Sequence, residues 1–314
     1  RQEQHYARLG IDLSRGVLSN WMLKGSEWLE LIYDRSKQVL LEQGVLHADE
    51  STLQVLKEPG RAAEAQSYMW LYRTGREGPP IVLYDYQQTR SGEHARNFLE
   101  GFTGYLHADG YAGYQNIPGV QVCGCWAHLR RKFDEALKGL PPKKRASGSR
   151  AKEALDQINR LFAIERQLKD CSPEQRHDVR DQKSRPIVED FRTWLESILP
   201  GIMPKSLFGT AVKYGLNQWE KLTRFLDDGR LEISNNRAER SIKPFVIGRK
   251  NFLFCNTPRG ARASAVIYSI IETAKENGLK PYAYLNYLFE KLPNLESKDN
   301  ETLDQLLPWN VQLQ

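Results

Sequence analysis

Two stretches decide how this chain is read: GVLHADEST, residues 44–52, and GYLHADGYAGY, residues 104–114. Both contain Leu-His-Ala-Asp, ending at Asp49 and at Asp109. The residues leading in and out differ, so the pair is not an internal repeat. Each reads as a short apolar strand running into an aspartate, followed by loop-forming residues. In open α/β sheets, ligands collect at the ends of strands. If the two strands are neighbours, Asp49 and Asp109 stand side by side. An aspartate at a strand end is also an ordinary turn-former or helix cap, so two aspartates alone leave both readings open.

Working outward, residues 67–75 (SYMWLYRTG) and 80–87 (PIVLYDYQ) are aromatic and β-branched, which predicts strands. SGEHARNFLEGF (91–102) predicts a helix capped by Ser91. VQVCGCW (120–126) reads as a strand and AHLRRKFDEAL (127–137) as a helix. The order over 45–137 is therefore β-β-β-α-β-β-α, an antiparallel meander followed by an alternating section, which is an α/β layered domain. PPKKRASGSR (141–150) is a basic Pro/Gly/Ser linker. From 150 to about 228 the only periodicity is helical, as in Val188, Phe191, Leu195 and Ile198. An all-helical block thus interrupts the α/β domain.

The domain reading is 1–44 helical, either the end of a helix-turn-helix or an ordinary helical hairpin, plus a linker helix over 26–44; 45–140 the first part of the core; 141–230 the helical insertion; 231–294 the second part of the core; and 295–314 a loose polar tail. GARASAVIYSIIETAKENG (260–278) is a helix with Gly278 just past its end, and Pro281 opens another.

Composition bounds the function. The chain has 314 residues, 40% hydrophobic, with a net charge of +6. That balance permits a polyanionic partner without requiring one. No run is long and apolar enough for a spanning helix, and no membrane role is expected. Four cysteines without framework spacing fit a reducing cytoplasm. The absence of an initial Met reads as a trimmed or partial chain.

Paired aspartates at strand ends suit Mg²⁺, which takes hard oxygen ligands. Two such ions (Mg²⁺ or Mn²⁺) clamp the attacking and leaving oxygens of a phosphoryl transfer, and that arrangement needs a third carboxylate. Glu239 in SNNRAERSIK is the candidate; Asn235, Asn236, Glu239 and Lys243 recur at helical spacing, and Asn235, Asn236 and Lys243 are expected among the DNA contacts. The alternative is a capping box built on Asn236 and Glu239. His128, Arg130 and Arg131 open a helix, where cations are electrostatically disfavoured unless an anion such as a DNA phosphate is near. Lys243, Arg249 and Lys250 interleave with Phe245, Phe252 and Phe254, a pattern that suits DNA contact and equally a hairpin with buried aromatics. Cys123, Cys125 and His128 form C-x-C-x-x-H. With no second ligand pair in sequence, buried thiols are expected and zinc is not.

LHADES, LHADGYAGY, GCWAHLRRKF and NNRAERSIKPFVIGRKNFLF, in that order, resemble the transposases of the insertion-sequence-66 family over roughly residues 1 to 290. The resemblance implies a ribonuclease H-like mixed sheet flanked by helices, with a helical insertion before the third acidic residue. It implies a DDE enzyme that cuts and joins double-stranded DNA, with Asp49, Asp109 and Glu239 as catalytic, metal-holding residues. It implies transposon ends and target DNA as partners, a homo-oligomer on DNA, possible accessory transposon proteins, and a bacterial cytoplasmic, nucleoid-associated location. Members usually carry a longer N-terminal region, and this chain starts inside its helix-turn-helix. The rivals are a catalytically inactive DNA-binding or regulatory protein of the same fold, and a ribonuclease H-like nuclease.

Overall fold

The computed structural model describes residues 1–142, 145 and 148–313, so part of the basic linker over 141–150 lies outside the described residues. Two helices lead in, α1 (Gln2–Arg8) and α2 (Arg15–Leu41). The sheet follows: β1 (Val45–Gln54), β2 (Gln66–Thr74), β3 (Val82–Gln87), helix α3 (Gly92–Phe98), β4 (Gly104–His107), β5 (Val120–Cys123) and helix α4 (Trp126–Lys138). Helices α5 (Arg150–Gln167), α6 (Pro173–Val179), α7 (Arg185–Ile198), α8 (Leu207–Asn217) and α9 (Trp219–Thr223) come next. The chain closes with α10 (Asn236–Phe252), α11 (Pro258–Glu276), α12 (Pro281–Lys291) and α13 (Asn300–Asp304).

The sheet order is β3-β2-β1-β4-β5. The first three strands pair antiparallel, and β4 and β5 add on parallel to β1. Parallel neighbours need a crossover rather than a hairpin, and α3 supplies it between β3 and β4. The expected order over 45–137 is the one observed.

Strand alternation assigns the two faces. Leu46 and Ala48 of β1, with Trp70, Tyr72 and Leu83, pack against α2, α11 and α12. The opposite face presents Leu53, Met69, Leu71 and Tyr84 to Ala238, Ile242 and Phe245 of α10. His47 and Asp49, two residues apart, share this second face. A separate core joins α4 to the inserted helices through Trp126, Phe133, Phe191, Trp219 and Phe225.

Three expectations change. β1 does not stop at Asp49 but pairs with β2 as far as Gln54, so Asp49 is a mid-strand residue held on its β2 side, opposite Leu71. The separate helices expected around residue 25 are one helix, α2. Gly25 does not break it; a Cβ there would meet Phe289 at 3.2 Å, so the glycine admits a close neighbour. The C-terminal tail is also not loose. Leu303, Leu306 and Leu307 are buried in the main core, the Tyr284 hydroxyl donates to the Leu306 carbonyl at 2.7 Å, and Arg35 grips Asp304 with two bonds of 2.6 and 2.9 Å. In addition, NRAERSIKPFVIGRKNF forms the single helix α10 despite Pro244. No helix among the described residues is long and apolar enough to cross a membrane.

Candidate active site

Parallel pairing sets Leu46 beside Leu106 and His47 beside His107. The two Leu-His-Ala-Asp runs are in register, so Asp49 and Asp109 follow on adjacent strand lines, one pleat further on. Below them the two imidazoles stack, centroids 4.4 Å apart and planes within 16°. Both are fully buried. Burial pushes both pKa values down, that of His107 to about 4, so the rings stack as neutral groups.

Their partners come from one segment, residues 232–235. His47 Nδ1 lies 3.0 Å from Asn235 Oδ1, and the Asn235 amide nitrogen donates to the Ala48 carbonyl at 2.8 Å. The Glu232 backbone N–H donates to His107 Nε2 at 3.1 Å. With the amide oxygen accepting, His47 carries its proton on Nδ1; His107 carries its own on Nδ1 because Nε2 accepts. The Glu232 carboxylate takes 2.8 Å bonds from Arg76 and Arg237. Burial works to raise its pKa, but the Arg237 and Arg76 guanidiniums hold it well below the usual carboxylate range. Asn235, expected to meet DNA, is 1% exposed and has both ends of its amide engaged. It is a latch between β1 and the start of α10, and this is a correction to the sequence reading.

Asp49 accepts the Glu50 N–H at 2.8 Å, and Asp109 accepts the Tyr111 N–H at the same distance. Burial, then the negative charge of Glu50, and further the charges of Asp109 and Glu239, push the Asp49 carboxyl up to about 7. Glu50 itself is bound by Tyr114, whose hydroxyl donates at 2.5 Å, and by Arg90. The site therefore concentrates more negative charge than its own surroundings neutralise.

Glu239 lies in the first turn of α10. The cap position of α10 is Asn235, whose side chain makes no capping bond, and Asn236 is the first helical residue, so the capping box expected on Asn236 and Glu239 is not formed. The Glu239 carboxylate is instead 3.7 Å from His128 Nδ1 and 3.5 Å from Arg131, both on α4. The Cys125, His128 and Glu239 ligand atoms all lie within 4.8 Å of one another, a grouping of three that Asp49, Asp109 and Glu239 do not match among the described residues.

The remaining expected residues divide. Arg130 turns to the insertion and donates to Asn159 at 2.8 Å. Arg249 binds Ser51 and Thr52, tying the end of α10 to β1. Lys243 and Lys250 are exposed on α10, and Asn236 lines a cleft with Arg76, Glu232 and Arg240. Sequence reasoning missed His47, His107, Glu232 and Tyr214. The repeated His before each Asp was a visible signal for the first two. Tyr214 on α8 left none: its ring sits against Gly110, where a Cβ would meet it at 3.0 Å. Burial, then Cys125 and Asp109, push its phenol up to about 12.

Residues 1–263 match the profile described as Transposase IS66 family, and residues 269–309 match the IS66 C-terminal element. The chain is similar to three proteins of Sinorhizobium fredii (strain NBRC 101917 / NGR234) that carry the names uncharacterized protein y4jD, y4qI and y4hP. Identities are 33, 32 and 31%, over 99, 99 and 98% of this chain. It spans 62, 59 and 58% of their respective lengths. No solved structure matches it.

Proposed function

The chain belongs to the IS66 transposase family, and on that premise we propose that it is the catalytic part of a transposase that cuts and joins DNA strands. The observation that supports the reading is the register of β1 and β4, which pairs His47 with His107 two residues before Asp49 and Asp109; Glu239, in the first turn of α10, is the third carboxylate of the proposed site. The β3-β2-β1-β4-β5 order, with its helical block before Glu239, supports a ribonuclease H-like core.

The donor set fits Mg²⁺ or Mn²⁺. It is all hard oxygen, and the second oxygen of Asp49 and of Asp109 accepts no hydrogen bond among the described residues. Asp49, raised to about 7 by burial and then by the neighbouring negative charges of Glu50, Asp109 and Glu239, is a group whose charge a cation would relieve. Two ions held there would activate water or a DNA 3′-hydroxyl and stabilise the leaving oxygen. The chain's own share is positional. The stacked His47 and His107 and the Asn235 latch hold the two strands and α10 at fixed separation. Arg131 stands beside Glu239 where a phosphate oxygen would approach. Exposed Lys243 and Lys250 supply phosphate contacts further along α10. Double-stranded DNA, self-association on it, accessory transposon proteins and a nucleoid location belong to this same reading.

The test is metal-dependent strand cleavage, followed by joining of pre-cleaved ends, in wild type, Asp49→Asn, Asp109→Asn and Glu239→Gln. Each variant keeps nearly the shape of the side chain and removes its charge. Cleavage and joining should fall by at least about 100-fold, on the scale of removing a principal electrostatic group from an active site, while DNA binding stays near wild type. Cleavage without joining would leave a nuclease; binding without either would leave a DNA-binding protein. Metal-dependent cleavage by Glu239→Gln would end the three-carboxylate reading.

A further inference from the structure

C-x-x-H on its own is half a metal site, and the sequence offers no nearby partner to complete it. The fold does. Cys125 is the residue preceding α4, His128 lies in the first turn of that helix, and Glu239 arrives from α10, 111 residues later than His128. The three ligand atoms lie within 4.8 Å of one another. Two of them, His128 Nδ1 and Glu239 Oε1, are shielded from solvent, face each other at 3.7 Å, and have no hydrogen-bond partner among the described residues. Shielded polar atoms left unpaired are costly, and a shared cation would satisfy both. The Asn235 N–H donates to Cys125 Sγ at 3.2 Å, an outer contact of the kind that orients metal ligands.

We propose that Cys125, His128 and Glu239 form a second metal site that takes Zn²⁺ or a similar borderline-soft cation and, when filled, withdraws Glu239 from the carboxylate cluster. A thiolate, an imidazole and one carboxylate suit zinc, whereas the all-oxygen set of Asp49 and Asp109 suits Mg²⁺. Binding breaks the Cys125 S–H bond, releases that proton to solvent and forms a metal–sulfur bond; no electron is transferred. Three protein ligands leave a fourth position for water. Because one carboxylate serves both sites, zinc opposes magnesium. The binding half stands on geometry alone; the antagonism rests on the proposed role of Glu239.

Cobalt(II) is the probe for the binding half, standing in for zinc because a cobalt–thiolate bond absorbs light and a zinc–thiolate bond does not. The intact chain should bind one cobalt with a thiolate charge-transfer band that zinc displaces. Cys125→Ser should abolish the band and Cys123→Ser should retain it. His128→Asn, on the half-buried face of α4, covers the case in which Cys125→Ser fails to fold. It and Glu239→Gln should each weaken zinc affinity by more than about 10-fold, since loss of an outer-shell partner alone costs that much. Absence of the band in wild type, or unchanged affinity in His128→Asn and Glu239→Gln, overturns the site. For the antagonism, zinc is titrated into Mg²⁺-driven cleavage, and the halving concentration is compared with each variant's own rate. It should rise more than about 10-fold in His128→Asn, following the lost affinity; an equal halving concentration overturns the competition. A wild type with no cleavage at all would sink the transposase reading while leaving the cobalt result standing.

Discussion

Asp49 is the residue on which the chemistry and the stability of this site meet. Its folded pKa near 7 lies above the 3.8 of an unperturbed aspartate, chiefly through burial. The folded state therefore binds this proton more tightly than the unfolded chain does. The resulting stabilisation is fully present below about pH 4 and is lost as pH rises through 7. Without metal at about pH 8, Asp49→Asn should melt above wild type, by an amount on the order of 3 kcal/mol. Near pH 4 the two should converge. Saturating Mg²⁺ should raise wild type more than the variant, because the ligand charge is gone. A variant melting below wild type at pH 8 in chelator would show that the carboxylate is not strained. Glu50 shares the charge, but Tyr114 and Arg90 hold its carboxylate, so it is anchored where Asp49 is exposed to its neighbours.

At the scale of elements, the site depends on how α10 is docked. Three contacts hold it. Asn235 clasps Ala48 and His47 at its start, buried Arg73 of β2 bonds Ser241 at 2.5 Å, and Arg249 bonds Ser51 and Thr52 near its end. Between them, Ala238, Ile242 and Phe245 pack on Leu53, Met69 and Leu71. Asn235→Ala strands the Ala48 carbonyl and His47 Nδ1, at about 1–3 kcal/mol for each orphaned group. The expected outcome is a urea midpoint lowered with an unchanged slope, together with slower cleavage because Glu239 loses its fixed distance from β1. An unshifted midpoint would mean that Asn235 contributes no latch.

For the whole molecule, the net charge is only +6, so the question is which exposed basic groups are left for a polyanion. Arg240, Lys243 and Lys250 are exposed on α10. Arg131 is engaged by Glu239 and Arg130 by Asn159, so the lysines are the freer phosphate contacts. Lys243→Ala combined with Lys250→Ala should reduce the slope of log K against log salt by about 1.8, at about 0.9 for each lost duplex contact, with no dependence on DNA sequence. An unchanged slope would place DNA elsewhere. The insertion is integral to this arrangement. Buried Arg180 bonds Glu165 and the carbonyls of Phe225 and Leu231, one residue before Glu232. The inserted helices thereby stake the segment that reaches the paired histidines.

What the chain determined locally was determined by short-range rules. Strand alternation, turn residues and caps produced the β-β-β-α-β-β-α order, the Ser91 cap and the Gly278 stop, each written within a few residues. The neighbouring of β1 and β4 was legible because a repeated Leu-His-Ala-Asp needs only strand pairing to set its two copies side by side. The tail was misread although Leu303, Leu306 and Leu307 have helical spacing, because five residues of helix carry little signal without Tyr284 and Arg35 to pack against. Only tertiary structure decided that Asn235 turns inward, that Tyr214 reaches Gly110, and that Glu239 completes a group with Cys125 and His128. Each of those contacts joins residues 104 to 188 positions apart. Local periodicity carries no information about such pairs, because they exist only once separate cores have fixed the helices against the sheet.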